Sequence, residues 1–325
     1  MNPASSFSCR QDKVLNKCQK KSKRCRIHPS DGKLLSVSKT GTTKVKGKRK
    51  VFSQLNLKLK SKKHTGWFFS GVLLLSGCAS DKNFDQLLDD YRLVRQTITT
   101  DQFTHLLIAN NTQGASHDVL HVYIEGDGTP WLRRDTIAAD PTPRNPLAFK
   151  LMLQDSAPSI YLGRPCYFGL MDSPMCVPPI WTHRRYSEEV IASMHAALEQ
   201  YLRGNPYQRL TLIGYSGGGV IAMLLAQRVP QSNRLITIAA NLDTDAWARY
   251  HQYSTMAGSL NPAKQPQLPP SIKQTHFAGQ HDKNVPIALI KSVSSRQTNS
   301  SLRIMDKFDH ICCWETAWPD LLKQL

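Results

Sequence analysis

The stretch LTLIGYSGGGV at residues 210–220 decides the fold of this chain. Its first half is an apolar run that predicts a buried strand ending at Gly214, and a helix is predicted to begin near Gly219. Between the two lies GYSGG, a match to the pattern G-x-S-x-G, with Ser216 at its centre. A serine on such a strand-to-helix turn occupies a strained backbone conformation that exposes its hydroxyl, and the flanking glycines avoid collisions between strand and helix.

Strands and helices alternate on both sides of this stretch. We predict strands at 105–109, 119–125, 159–162, 210–214, 235–239, 274–278 and 301–305. We predict helices at 187–202, 220–228, 286–295 and 314–322, and a short amphipathic helix whose apolar face comprises Phe84, Leu87, Leu88, Tyr91 and Val94. This order predicts an α/β fold with a mostly parallel central sheet and helices on both faces. Two proline-rich segments, 129–158 and 243–270, follow strands, and we interpret them as loops that frame a site.

With these features the chain resembles the α/β-hydrolase family over most of residues 103–325. The family orders its catalytic triad as nucleophile, acid and histidine, so the resemblance makes Ser216 the nucleophile. Residues 275–286, THFAGQHDKNVP, look like the strand and turn that deliver the acid, here Asp282. Two alternatives stay open: Asp282 as a turn or helix-capping residue, and Asp243, after the preceding strand, as the acid. His310 follows the last predicted strand and would be the general base.

The resemblance also suggests an oxyanion hole. The amide of Gly217 would be one donor, and an amide at Gly126 or Asp127, after the strand at 119–125, would be the other. Glu125 stands where the family commonly has histidine, and Asp127 places an acid close to where an oxyanion would form. These departures leave the choice of donor open.

The resemblance therefore implies a serine hydrolase that cleaves an ester, thioester or amide of a small-molecule acyl substrate through an acyl-Ser216 intermediate, with no cofactor. The alternative is a binding or scaffolding protein that keeps the fold without turnover. His117 and His121 have helical metal-ligand spacing, but they run into a predicted strand, so no metal site is expected.

Positive charge is concentrated in the N-terminal fifth of the chain. The whole chain of 325 residues has a formal net charge of +18, and residues 1–65 contain 19 Lys and Arg against 2 Asp and Glu. Residues 78–325 hold 23 basic and 22 acidic side chains, which removes the electrostatic basis for nucleic-acid binding by the main domain.

The residues that follow the basic segment predict an export signal with a lipid anchor. The uncharged segment 66–77 contains a short apolar core that follows several lysines, and it ends in Leu-Ser-Gly before Cys78. This arrangement resembles the lipobox of bacterial lipoproteins, in which the cysteine is lipidated and becomes the first mature residue. Ala79 and Ser80 then suggest the outer membrane of the cell envelope, facing the periplasm. Residues 78–102 would form a tether and a short helix.

Residues 1–50 are longer than a signal needs, and three explanations stay open. The translation start is placed too early, with Val51 or Leu55 as candidate starts; the extension is real and cleaved; or it is a basic tail that binds nucleic acid.

Four cysteines remain after Cys78, and an oxidising compartment permits two disulfides. Cys166–Cys176 is the simplest local bridge. A bond between the neighbours Cys312 and Cys313, crossed pairings and free thiols are all left open, as is the oligomeric state.

Overall fold

The computed structural model describes residues 84–110 and 118–325, which belong to one compact unit. Eight strands form the central sheet in the order β1-β2-β6-β3-β7-β8-β9-β10. Their bounds are Gln96–Thr99 (β1), Thr104–Ala109 (β2), Val119–Ile124 (β3), Ser159–Leu162 (β6), Arg209–Tyr215 (β7), Ser232–Ile238 (β8), Lys273–Gly279 (β9) and Ser300–Met305 (β10). A separate hairpin pairs Trp131–Arg133 (β4) with Thr136–Ile137 (β5).

The sheet is mostly parallel, as predicted. Only β2 runs against its neighbours β1 and β6, while every pairing from β6 to β10 is parallel. Successive side chains of a strand point to opposite faces, and Val122, Tyr123 and Ile124 of β3 are all fully buried. Both faces of the sheet are therefore covered, which is why β3 and β7 are apolar along nearly their whole length.

Seven α-helices accompany the sheet in the part of the chain that the structure describes. They are Phe84–Tyr91 (α1), Leu147–Met152 (α2), Glu188–Gly204 (α3), Gly217–Ala226 (α4), Thr244–His251 (α5), Ile287–Ser294 (α6) and Trp314–Leu322 (α7). Helix α4 contacts β7, β8 and α3, whereas α2 contacts β3, β6 and α7. The sheet places the carboxyl ends of β3, β7, β9 and β10 at one edge, where polar residues follow each strand.

Every strand and helix predicted from the sequence overlaps an observed element, but three strands and two helices lie where none was predicted. Strand β1 is short and exposed, and the hairpin and helices α2 and α5 lie inside the proline-rich segments interpreted as loops. These elements are two to eight residues long, so they contain too few turns or alternations for a hydrophobic period to show. Helix α4 begins at Gly217, earlier than predicted, because the glycines allow the chain to turn at once into helix.

Helix α1 shows only part of the expected apolar face. Phe84, Leu87 and Leu88 are buried, and the ring of Phe84 lies 4.6 Å from that of Phe149 and 4.8 Å from that of Phe168. The helix ends at Tyr91, so the predicted continuation to Val94 is wrong, and both Tyr91 and Val94 are exposed.

Two disulfides are present. Cys166 is bonded to Cys176, with 5.4 Å between the α-carbons, and Cys312 is bonded to its neighbour Cys313. The crossed pairings and free thiols left open by the sequence do not occur in this structure. The second bridge lies two residues after His310.

The N-terminal expectations fall outside the described residues. The basic segment 1–65, the apolar segment 66–77 and Cys78 all precede residue 84, and His117 lies in the gap at 111–117. Among the helices that are described, none has the length and apolarity that crossing a bilayer requires.

Candidate active site

Ser216 lies at a sharp turn between β7 and helix α4. Its φ is 51° and its ψ is −121°, a conformation that costs a residue with a side chain about 1–3 kcal/mol. The cost is borne because strand and helix on either side are fully buried and hold the turn in place. The turn leaves Ser216 partly exposed between buried neighbours.

The two outer glycines of the motif are required by close backbone approach. A Cβ on Gly214 would lie 2.3 Å from the carbonyl oxygen of Gly218, and a Cβ on Gly218 would lie 2.2 Å from that of Ile124 in β3. No side chain fits at either position unless the strands and the helix move apart. The glycines thus allow β3, β7 and α4 to converge beneath the serine.

His310 and Asp282 meet Ser216 in a chain of two hydrogen bonds. The distance from His310 Nε2 to Ser216 Oγ is 3.1 Å, and the distance from His310 Nδ1 to Asp282 Oδ2 is 2.9 Å. Oδ1 of Asp282 accepts hydrogen bonds of 2.8 Å from the amides of Asn284 and Val285. Asp282 is therefore both the hydrogen-bond partner of His310 and a turn residue. The two alternatives that the sequence left open for Asp282 do not exclude each other.

Two loops deliver these side chains from the ends of β9 and β10. The amide of His281 donates to the carbonyl of Phe308 over 2.8 Å, and Tyr215 donates its hydroxyl proton to the carbonyl of His310 over 3.1 Å. Asp309 turns the chain after β10, since its Oδ1 accepts from the amides of Ile311 at 2.8 Å and Cys312 at 2.6 Å. These bonds hold the imidazole over the serine.

Asp243, the alternative acid, has a different position. It is the N-cap residue of helix α5, where its Oδ1 accepts from the amide of Ala246 and from Nδ2 of Asn261, both at 3.0 Å. No hydrogen bond joins it to His310 within the described residues.

The amide donors near Ser216 are distinguished by their partners. The amide of Gly126 donates to Oε1 of Glu125 over 3.1 Å, so it is already in use. The amide of Asp127 has no acceptor among the described residues, and Gly217, as the first residue of α4, has no intrahelical acceptor for its amide. Gly217 and Asp127 are therefore the pair that remains available to an oxyanion.

Glu125 is buried beneath this loop. Its carboxyl also accepts from the amides of Ala148 at 3.3 Å and Phe149 at 3.4 Å, at the start of helix α2. Burial raises the pKa of Glu125 to about 7, although these amides and that of Gly126 act to lower it. The side chain thus ties the loop after β3 to α2.

The carboxylate of Asp127 is neutralised by side chains from other segments. It pairs with Arg164 at 2.6 Å and Arg185 at 2.8 Å, and Tyr186 donates to it at 2.8 Å. Burial alone would raise the pKa of Asp127, but the two arginines outweigh burial and lower it to about 2. The expected conflict between this acid and an oxyanion is therefore removed by residues that the sequence analysis did not identify.

Asp127→Asn is expected to lower the free energy of unfolding by about 3–5 kcal/mol, because it leaves Arg164 and Arg185 buried without a counter-ion. Urea denaturation measures this change. The control is Asp118→Asn, which breaks an exposed ion pair with Arg209 and should cost less than about 1 kcal/mol. Equal losses in the two variants would contradict the role given to Asp127.

A second serine–histidine contact lies elsewhere in the domain. His105 Nε2 is 2.7 Å from Ser193 Oγ, and both residues are buried. The other ring nitrogen of His105 faces the carbonyl of Gly163 at 3.0 Å rather than a carboxylate, and burial lowers the pKa of His105 to about 4. This pair has neither the access nor the acid that Ser216 and His310 possess.

Ser216 and His310 line a cleft of about 1090 Å³. One wall carries Trp247 and His251, whose ring nitrogens lie 2.9 Å and 2.7 Å from the carbonyl oxygen of Asn284. Asn284 is also an amide donor to Asp282, so this wall and the acid share one loop. No local sequence pattern marks a residue such as Trp247, which packs across loops.

Solved structures share this architecture. An esterase of Pyrococcus furiosus aligns over 73% of this chain and 95% of its own, with 13% identity and a TM-score of 0.50. A serine hydrolase of Xanthomonas campestris, described as lacking a lid, aligns over 71% of this chain and 94% of its own, with 11% identity and a TM-score of 0.46. No protein-family model matches the chain, and no curated protein does. The described domain has the α/β-hydrolase fold that the sequence predicted.

Proposed function

We propose that this protein is a serine hydrolase that cleaves a carboxylic ester, a thioester or an amide through an acyl-enzyme intermediate. The observation that carries the proposal is the hydrogen-bond chain from Ser216 through His310 to Asp282, at 3.1 Å and 2.9 Å, on a strained turn that faces a cleft. A carboxylic ester is the preferred substrate class because the resemblance drawn from the motif is to a family rich in esterases.

In the first half-reaction Ser216 Oγ attacks the substrate carbonyl carbon while His310 Nε2 takes the hydroxyl proton. The carbonyl π-bond electrons move to oxygen, and the tetrahedral intermediate forms. When it collapses, the bond to the leaving group breaks and His310 returns the proton to that group. Water then attacks the acyl-serine by the same route, which releases the acid and restores Ser216.

Asp282 acts on His310 rather than on the substrate. A carboxylate facing Nδ1 holds the proton there, so Nε2 is left free to accept the proton of Ser216, and it stabilises the imidazolium that forms. The amides of Gly217 and Asp127 are proposed to bind the oxyanion. Because Arg164 and Arg185 neutralise the Asp127 carboxylate, negative charge on the intermediate does not meet an unpaired anion.

A fluorophosphonate probe tests the proposal. The wild-type protein should become labelled on Ser216, identified by mass spectrometry of the labelled peptide, and Ser216→Ala should remove the label. Ser193→Ala is the matched control, since it removes the hydroxyl of the buried serine–histidine pair and should leave labelling intact. A folded wild-type protein that never labels would instead favour a binding protein that has kept the fold.

We also propose that Cys78 carries a lipid that holds the domain on the outer membrane, facing the periplasm. Several acyl chains on one residue bind a bilayer almost permanently, since each buried CH₂ contributes about 0.8 kcal/mol. Expression in a bacterium with an alkyne-tagged palmitate should label the protein and place it in the membrane fraction, and Cys78→Ala should abolish both. Membrane association of an unlabelled Cys78→Ala protein would refute the anchor.

A further inference from the structure

The cleft in front of Ser216 is lined by cationic side chains without partners. Arg133, at the end of β4, Arg134, in the turn of the hairpin, and Arg144 all line it and are all exposed. None of the three guanidinium groups makes a hydrogen bond or an ion pair with any residue in the ranges that the structure describes. Their positive charge is therefore not used to hold the fold together.

The acidic side chains that line the same cleft do not offset this charge. They are Asp127, which is already paired with two arginines, and Glu125, which is fully buried and whose pKa burial raises to about 7. Asp135 follows Arg134 in the hairpin, but it accepts a hydrogen bond from Thr136 and does not line the cleft. Residues 78–325 as a whole are nearly neutral, with 23 basic and 22 acidic side chains, so these arginines are not part of a general excess of positive charge on the domain.

The hairpin that carries two of these arginines is fixed at its base. The amide of Ala138 donates to the carbonyl of Pro130 over 3.0 Å, and the indole nitrogen of Trp181 donates to the carbonyl of Ala138 over 3.1 Å. The amide of Thr129 donates to Pro141 over 2.8 Å, which closes the loop behind the hairpin. The backbone that carries Arg133 and Arg134 is thereby held beside the cleft.

We propose that the substrate is an ester that carries an anionic group, which Arg133, Arg134 and Arg144 bind while Ser216 attacks the ester carbonyl. This inference rests on the proposed function and adds the substrate class to it. A guanidinium group binds carboxylate and phosphate oxygens through paired N–H donors, and a concave wall of one charge raises the local concentration of ligands of the opposite charge.

Two matched pairs of esters test the inference, one for each side of the scissile bond. The acyl-side pair is mono-4-nitrophenyl adipate and 4-nitrophenyl hexanoate, which have equal chain length. The alcohol-side pair is 4-acetoxybenzoate and its methyl ester. In at least one pair the charged ester should have the higher kcat/KM, by about tenfold at low salt after correction for the rate of hydroxide hydrolysis.

The variant Arg133→Gln/Arg134→Gln/Arg144→Gln should bring that ratio close to one, and 0.5 M NaCl should reduce it in the wild type because salt screens exposed charges. Arg203→Gln is the matched control, since Arg203 is an exposed arginine in the last turn of α3, outside the cleft, and should leave the ratio unchanged. A ratio near one in both pairs, or a ratio that the triple variant keeps, overturns the inference.

Calorimetry separates this inference from the proposed function, because it needs no turnover. Monomethyl adipate, which is anionic, should bind Ser216→Ala protein about tenfold more tightly than dimethyl adipate, and the three arginine substitutions should remove the difference. A protein that hydrolyses none of the four esters but keeps this binding preference would refute the hydrolase and retain the anion site. Hydrolysis of these esters without any preference for the charged member of a pair would support the hydrolase and refute the anion site.

Discussion

Ser216→Ala is expected to lower kcat/KM for an ester substrate by about 10⁴- to 10⁶-fold while the protein remains folded. The substitution removes the only atom that forms the acyl bond in the proposed mechanism. It does not change the backbone strain at this position, because alanine also has a Cβ and is strained to the same degree at a φ of 51°. Steady-state kinetics measure the loss, and thermal denaturation checks that the melting temperature stays near that of the wild type.

His310→Ala should cause a loss of similar size, and the double variant should lose little more than either single one. The effects are not additive because Ser216 and His310 act as one unit, joined over 3.1 Å. Additive losses would mean that the two residues contribute separately. If Ser216→Ala protein kept more than about a tenth of the wild-type rate, the hydroxyl of Ser216 would not be the nucleophile.

Asp282→Asn is expected to lower kcat by about 10⁴-fold. The amide is nearly the same size as the carboxylate, and its oxygen can still accept from Asn284 and Val285 at the position of Oδ1. The NH₂ group then faces His310 Nδ1, so it favours the tautomer with the proton on Nε2, which cannot accept the proton of Ser216. The loss should therefore appear in kcat at neutral pH with the melting temperature little changed.

Asp243→Asn is the control for this prediction, because Asp243 is the acid that the sequence left as an alternative. Asparagine caps a helix about as well as aspartate, so helix α5 should lose less than about 1 kcal/mol and activity should stay near the wild-type level. If Asp243→Asn abolished turnover while Asp282→Asn did not, Asp243 rather than Asp282 would be the acid of the triad.

The central part of the fold was predictable because its signals are local. Strand β7 contains a mostly apolar run, and G-x-S-x-G at the junction of a strand and a helix specifies one backbone geometry. The hairpin at 131–137 was not predictable, since two strands of three and two residues show no alternation. As a result, Arg133 and Arg134 were hidden within a segment interpreted only as a loop.

The central residues of the candidate site were predictable from the sequence, but the residues that neutralise Asp127 were not. The G-x-S-x-G motif and the resemblance to the α/β-hydrolase family pointed to Ser216, Asp282 and His310, with Asp243 left open as the acid. The pairing of Asp127 with Arg164 and Arg185 could not be found, because the arginines lie 37 and 58 residues from it and no short pattern links them. The charge balance of a buried site depends on which distant segments pack there, and amino-acid composition does not show which segments these are.

The sequence by itself determined the strand-to-helix turn at Ser216 and the mostly parallel sheet that supports it, because steric rules and hydrophobic periods act between residues close along the chain. Only the tertiary structure decided between Asp282 and Asp243 as the partner of His310, and only it shows that the amide of Gly126 is already bonded to Glu125 whereas that of Asp127 has no acceptor among the described residues. These choices depend on hydrogen bonds whose distances are set when separate loops meet at one edge of the sheet. His310 and Ser216 lie 94 residues apart in the chain, and the packing of β7, β9 and β10 brings them within 3.1 Å.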